Sequence, residues 1–167
     1  MDKIKIGGIM QSDGRAFLKI MAIPKEAAAA ASICSALAAT GINIEFMAQS
    51  LDIDDAVNLA LVVDHKDLDP ALSLLESVKA GLQAKGLSYV PDVAIISVFG
   101  PHLREKPMVP SLMFGSLASV DVVALAIANS ISSVSCVVEG RNLNLAPEAL
   151  TEVFDVPFSV AKRPKDW

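Results

Sequence analysis

The sequence predicts an α+β chain made of two ferredoxin-like βαββαβ units, each an antiparallel sheet with two helices on one face. Three observations carry that prediction. The order strand, loop, helix, strand, strand, helix occurs twice. Leu37 recurs as Leu117, and Gln49-Ser50 as Asn129-Ser130, at an offset of 80 positions. A repeat of that length is a whole small domain rather than a solenoid unit, and each copy is small enough to need the other for comfortable stability. Helices that alternate with hairpin strands then favour sheets covered on one side.

Element by element, Ile4 to Met10 reads as a strand closed by a polar turn, Gln11-Ser12-Asp13-Gly14. Phe17 to Ile23 is a second strand. Ala30, Ile33, Cys34 and Leu37 fall on one face of a helix from Ala28 to Thr40. Gly41 ends that helix by accepting positive φ. Ile42 to Ala48 and Val57 to Val63 are strands, joined by a turn holding Asp52, Asp54 and Asp55. Asp69-Pro70 starts a helix, since Pro is tolerated where its missing N–H bonds nothing. Leu72, Leu75 and Leu82 supply its buried face, and Gly86 is expected to close it. Leu87 to Asp92, with Pro91, is the linker candidate. Beyond it the order recurs: strand Val93 to Phe99, a loop Gly100 to Met108, helix Pro110 to Ser119, strands Val122 to Ala128 and Val134 to Val138, helix Pro147 to Phe154 and a last strand Val156 to Ala161. The expected units are residues 14–91, and 4–10 with 92–161, followed by a flexible tail at 162–167.

Composition excludes several classes of function. The 167 residues hold 14 Lys and Arg against 19 Asp and Glu, for a net charge of −5, with no basic stripe. A polyanion would lack its usual electrostatic driver, so no nucleic-acid partner is expected. No window reaches ~18 uninterrupted apolar residues, so no membrane span is expected either. The opening Met1-Asp2-Lys3-Ile4-Lys5 lacks the apolar region of a signal peptide, which makes a cytoplasmic location the expectation. Apolar residues form 53% of the chain and the mean hydropathy is +0.49, values that call for a partner to cover apolar surface. Cys34 and Cys136 are no disulfide framework and read as buried small hydrophobes.

No catalytic constellation is visible. His65 and His102 have no second His or Cys at metal-ligand spacing. Phosphate-cradling glycine motifs and a nucleophile elbow are missing. The aspartates at 52, 54 and 55 lack the Gly and distal Glu of a calcium loop, so they read as a solvated hairpin turn. No cofactor, metal or catalytic residue is therefore expected.

A binding role has better support. The loops Pro24 to Ala28 and Gly100 to Val109 each follow a strand and precede a helix, whose N-terminus suits a carboxylate. Gln49 and Asn129 close the facing strands and carry both donors and acceptors, as an amino-acid ligand requires. Two readings stand at this point: the amides contact a ligand, or they satisfy edge-strand backbone.

The run Ala38-Ala39-Thr40-Gly41-Ile42-Asn43-Ile44-Glu45-Phe46-Met47-Ala48-Gln49-Ser50 resembles the helix end and following strand of the tandem ACT regulatory region of aspartate kinases. Ile6-Gly7-Gly8-Ile9 is similar to that region's first strand. Val98-Phe99-Gly100 and Lys106-Pro107-Met108-Val109 resemble its second-repeat loop. The resemblance spans about residues 4 to 156. It implies that one unit is inserted within the other, and that a small amino acid of the lysine or threonine type binds as feedback effector at ACT–ACT interfaces. It also implies homodimers formed by sheet pairing and a kinase catalytic domain or subunit as partner. The site positions it implies are Lys25, Ala28, Ala30, Asn43, Ile44 and Gln49 in the first unit. In the second they are Met108, Val109, Val123, Asn129 and Ser130.

The chain departs from the family where the first loop usually reads Asp-Lys-Pro-Gly, since Lys25-Glu26-Ala27-Ala28 stands there. Lys25 inverts the charge that would meet a ligand ammonium, and Ala28 adds a Cβ where a carboxylate would approach backbone. Met108 replaces a glycine, Val123 stands where a counterpart of Asn43 is expected, and Ile131 replaces an acid. These changes leave two readings, an altered choice of ligand or a dimerisation module with degenerate pockets.

Overall fold

The computed structural model describes residues 2–157 and 161–162. Among them the strands are β1 (Ile4–Lys5), β2 (Gly8–Ile23), β3 (Phe46–Leu51), β4 (Val57–Asp64), β5 (Gly86–Phe99), β6 (Ala126–Asn129), β7 (Ser133–Glu139), β8 (Phe154–Asp155) and β9 (Ala161–Lys162). The helices are α1 (Ala29–Ala39), α2 (Leu68–Gly81), α3 (Met108–Ser119) and α4 (Leu145–Val153). The chain divides into two compact units. An inserted unit runs from Gly14 to Asp92, and a host unit takes the residues up to Asp13 and from Val93 onward. Each has the α+β, ferredoxin-like order of strands and helices that the sequence predicts.

In the inserted unit the strands lie in the order β3-β4-β2-β5. Alternate residues of β2 and β4, including Leu18, Ile20, Leu59 and Leu61, join Ile33, Leu37 and Leu75 of the helices in one core. Burying each such side chain contributes about 1.5–3 kcal/mol. The β2–β4 register slips between Ile20 and Ile23. At the slip Ala22 takes φ 54, and its N–H donates to Asn58 Oδ1 at 2.9 Å. The side chain of Asn58 thus satisfies the amide that the bulge removes from the ladder. Helix α1 ends as the sequence predicts: Gly41 has φ 73, and the Ile42 N–H returns to the Leu37 carbonyl at 3.0 Å.

In the host unit the order is β2-β5-β7-β6, so the N-terminal part of β2 fills the place of a fourth strand. Two parallel pairs add to this otherwise antiparallel arrangement, β1 with β8 and β9 with β2. The core gathers Ile6, Ile9, Ile96, Met113, Leu117, Leu150 and Phe154. Ser116 is buried on α3 and donates to the Ala149 carbonyl of α4 at 2.6 Å, which ties the two helices together.

Several local expectations are overturned. The polar run Gln11-Ser12-Asp13-Gly14 is the interior of β2, not a turn. Gln11 and Ser12 are buried, and only Gly14, with φ 64, leaves extended geometry. Leu87–Asp92 is the exposed half of β5, not a linker; His65 Nδ1 lies 2.6 Å from the Pro91 carbonyl. Gly86 opens β5 instead of closing α2, which ends near Gly81 with Gln83 in the left-handed region (φ 54). Strands β3 and β6 begin four residues later than expected, because Ile42 and Val122 are held by the helix ends before them. Of the expected last strand, Val156 to Ala161, residues 158–160 lie outside the described residues; β8 precedes Val156 and Ala161 belongs to β9. The expected tail lies outside the described residues except for Lys162, which pairs with Gln11.

Candidate functional site

Each unit places a loop before a helix beside the tip of a hairpin, but the two differ in charge. In the inserted unit Asp52 Oδ1 accepts the N–H groups of Asp54 and Ala56, each at 2.9 Å, so the three aspartates form a tight turn, as expected. Lys25 Nζ donates to Asp55 Oδ2 at 2.8 Å and ties the loop before α1 to that turn. Both partners are more than half exposed, so the pair adds little stability. It does neutralise the lysine that the resemblance places beside a ligand. Ala28 is the N-cap of α1 and offers no side-chain cap. Ala30 is half-buried, Ile44 packs on the core, and Asn43 is exposed. Gln49 is exposed on β3, opposite Leu59.

The host unit holds a pocket of about 240 Å³. Its lining is Leu103, Arg104, Lys106, Pro107 and Pro110 from the loop and first turn of α3, with Asn129, Ser130 and Val134 from the β6–β7 hairpin. The carboxamide of Asn129 has no hydrogen-bond partner among the described residues. Ser130 is committed locally: its hydroxyl accepts the Ser133 N–H at 3.1 Å and lies 2.9 Å from the Ser133 hydroxyl, which fixes the hairpin tip. Lys106 Nζ donates to the Lys5 carbonyl at 2.7 Å, a neutral acceptor that leaves its charge uncompensated. Glu105, between the two cations, points instead to His102 Nδ1 at 3.3 Å. The first turn of α3 contains no acid.

The structure therefore brings Asn129 and Ser130 together with the loop before α3. Met108 lines a separate, smaller cavity of about 120 Å³ with Asp2, Lys3, Ile4 and Leu112 among its walls. Val109 is fully buried in the host core, and Val123 is 66% exposed; neither lines the larger pocket. Sequence reasoning missed Arg104 and Lys106, although the charge-rich composition of their loop was the available signal.

It also missed Arg15, the largest fully buried side chain among the described residues. Arg15 Nη1 donates to Asp64 Oδ2 at 3.0 Å, and Nη2 lies 3.9 Å from Glu45 Oε2. These contacts pin β2 to the end of β4 and the approach to β3. Cys136 is buried in β7, and its thiol is pushed up to about 12 by desolvation. It is an inert core group.

Comparison with known proteins agrees with this architecture. Residues 29–80 match the model of the ACT domain. The chain is 28% identical over 156 residues to an aspartate kinase of Pseudomonas putida, covering 93% of this chain and 38% of that protein. It thus spans little more than a third of the length of such relatives. It superimposes on the regulatory subunit of aspartate kinase from Thermus thermophilus, in a ligand-free form, with a TM-score of 0.81 and 27% identity. That match covers 90% of this chain and 99% of the subunit. Aspartate kinase from Synechocystis shares the fold, with a TM-score of 0.88 over 97% of this chain at 22% identity.

Proposed function

We propose that this chain, which carries the tandem ACT fold of aspartate kinase regulatory regions, is a non-catalytic module that binds a small amino acid and relays its level to a kinase catalytic domain or subunit. The observation that carries the reading is the host-unit pocket, where the Asn129 carboxamide and the hairpin tip face the loop before α3. Similarity to nearly the whole of a solved regulatory subunit supports the role, and the relatives' extra length leaves room for a catalytic part outside the matched span. The natural setting for such a module is the cytoplasm; among the described residues no helix is long and apolar enough to cross a membrane.

The same reading includes a homodimer. Strand β6 ends the strand order of its unit and exposes Ile127 beside Val123 and Ile131, all at least 49% exposed. An open strand edge with apolar side chains invites pairing with another sheet.

A thermal-shift panel of single amino acids tests the effector. Ligand at 100 times its dissociation constant adds about 2.7 kcal/mol, a rise of several degrees for a chain of this size. A flat response across the panel at millimolar concentration removes the sensing role. If light scattering then still shows a dimer that Ile127→Lys dissociates, the chain is a dimerisation module with degenerate pockets.

A further inference from the structure

We infer that the host-unit pocket selects an effector of net negative charge, a dicarboxylic amino acid of the aspartate or glutamate class, over cationic and neutral amino acids. The inference rests on the effector reading above and adds the ligand's charge to it. The carrying observation is an imbalance. Two cations, Arg104 and Lys106, line a cavity with no carboxylate among its described lining residues, the Lys106 ammonium also donating to the Lys5 carbonyl. Neither has an ion-pair partner among the described residues. The nearest acid in sequence, Glu105, is engaged with His102.

This positive pocket sits in a chain whose net charge is −5, so it is a local arrangement and not a consequence of overall composition. The inserted unit shows the opposite balance. Its hairpin tip carries Asp52, Asp54 and Asp55, and the lysine of its loop is paired with one of them. The host hairpin tip, Ser130-Ile131-Ser132, has no acid to do the same. Two copies of one design have thus diverged in electrostatic sign.

The chemistry follows from this difference. A second carboxylate on the ligand gives Arg104 a charge-assisted, two-pronged acceptor and leaves Lys106 to attract the first. The Asn129 carboxamide can accept from the ligand ammonium through its oxygen. A lysine side chain would instead bring a third cation to a site with no anion to receive it, which discriminates by repulsion. A threonine would leave one of the two cations without a partner.

Isothermal titration of the chain with aspartate, glutamate, lysine, threonine and succinate tests the inference. Aspartate or glutamate is expected to bind at least about tenfold more tightly than lysine or threonine, and Arg104→Gln to weaken that binding by about tenfold or more. Lys85→Gln removes the same charge from an exposed site in the other unit and is expected to change affinity less than about twofold. Lysine or threonine binding as tightly as the acids overturns the charge selection and leaves the effector reading standing. So does full affinity in Arg104→Gln. Succinate binding as well as aspartate keeps the charge selection but overturns the amino-acid reading. No response to any of the five removes both.

Discussion

Gly7 and Gly100 pack backbone against backbone: a Cβ on Gly100 would lie 2.6 Å from the Gly7 nitrogen, and a Cβ on Gly7 2.8 Å from the Gly100 Cα. The Gly7 N–H also donates to the Phe99 carbonyl at 2.8 Å. This contact anchors the start of the loop that carries Arg104 and Lys106. No side chain fits there without moving main chain, so Gly100→Ala should cost about 2–3 kcal/mol. Urea denaturation reads that loss. Gly115 lies inside α3 with nothing within 4 Å of an added Cβ, and Gly115→Ala should stabilise by about 0.5–1 kcal/mol. Equal effects of the two substitutions would deny the close approach its role.

Helices α1 and α3 end alike, 80 positions apart, with one difference. Gly41 and Asp121 both take positive φ, 73 and 58, and the next residue's N–H returns to Leu37 or Leu117. Asp121 bears a Cβ in a conformation that disfavours one. Asp121→Gly should therefore stabilise the host unit by about 0.5–1 kcal/mol, and Gly41→Ala should destabilise the inserted unit by about 1 kcal/mol. Thermal unfolding of the two variants, with opposite shifts in Tm, checks both.

Arg15 holds a buried charge on two carboxylates that each keep 20% of their side-chain exposure. Its Nε is buried with no hydrogen-bond partner among the described residues. Removing the guanidinium and its volume together, by Arg15→Ala, should cost about 3 kcal/mol. Arg15→Met refills the space and leaves Asp64 and Glu45 able to hydrate, so its cost should be clearly smaller. Chemical denaturation separates the two; a Met variant as unstable as the Ala variant would mean that charge pairing, not packing, dominates.

Cys136 couples stability to alkaline pH. Burial raises its thiol from the ordinary 9.0 to about 12. The unfolded chain therefore loses this proton at a lower pH than the folded chain. The contribution to stability is complete below pH 9 and is lost as pH climbs from there towards 12. Denaturation midpoints measured at pH 8 and 10 should fall, and Cys136→Ala should flatten that fall. A thiol reagent at neutral pH should modify the half-buried Cys34 in the folded chain and reach Cys136 only on unfolding.

Much of the fold was legible because periodicity reports burial. Leu18 and Ile20, or Ile33 and Leu37, recur at strand and helix spacing wherever one face meets a core. Two segments were misread. Gln11 to Gly14 looks like a turn because polar Gln11 and Ser12 are buried within β2, and Leu87 to Asp92 looks like a linker because that half of β5 is an exposed strand. For the site, Asn129 and Ser130 were legible as the polar end of a strand. Arg104 and Lys106 were not, since a charged loop is usually only a solvated one.

The sequence by itself determined the duplicated α+β architecture, the helix stop at Gly41, and the resemblance to the regulatory region of aspartate kinases. Those features rest on local pattern, which each residue carries with it. Tertiary structure alone decided which charges stay unpaired. Lys25 meets Asp55 across 30 positions while Arg104 and Lys106 meet no acid among the described residues, and pairing of that kind depends on distances in space that no spacing along the chain encodes.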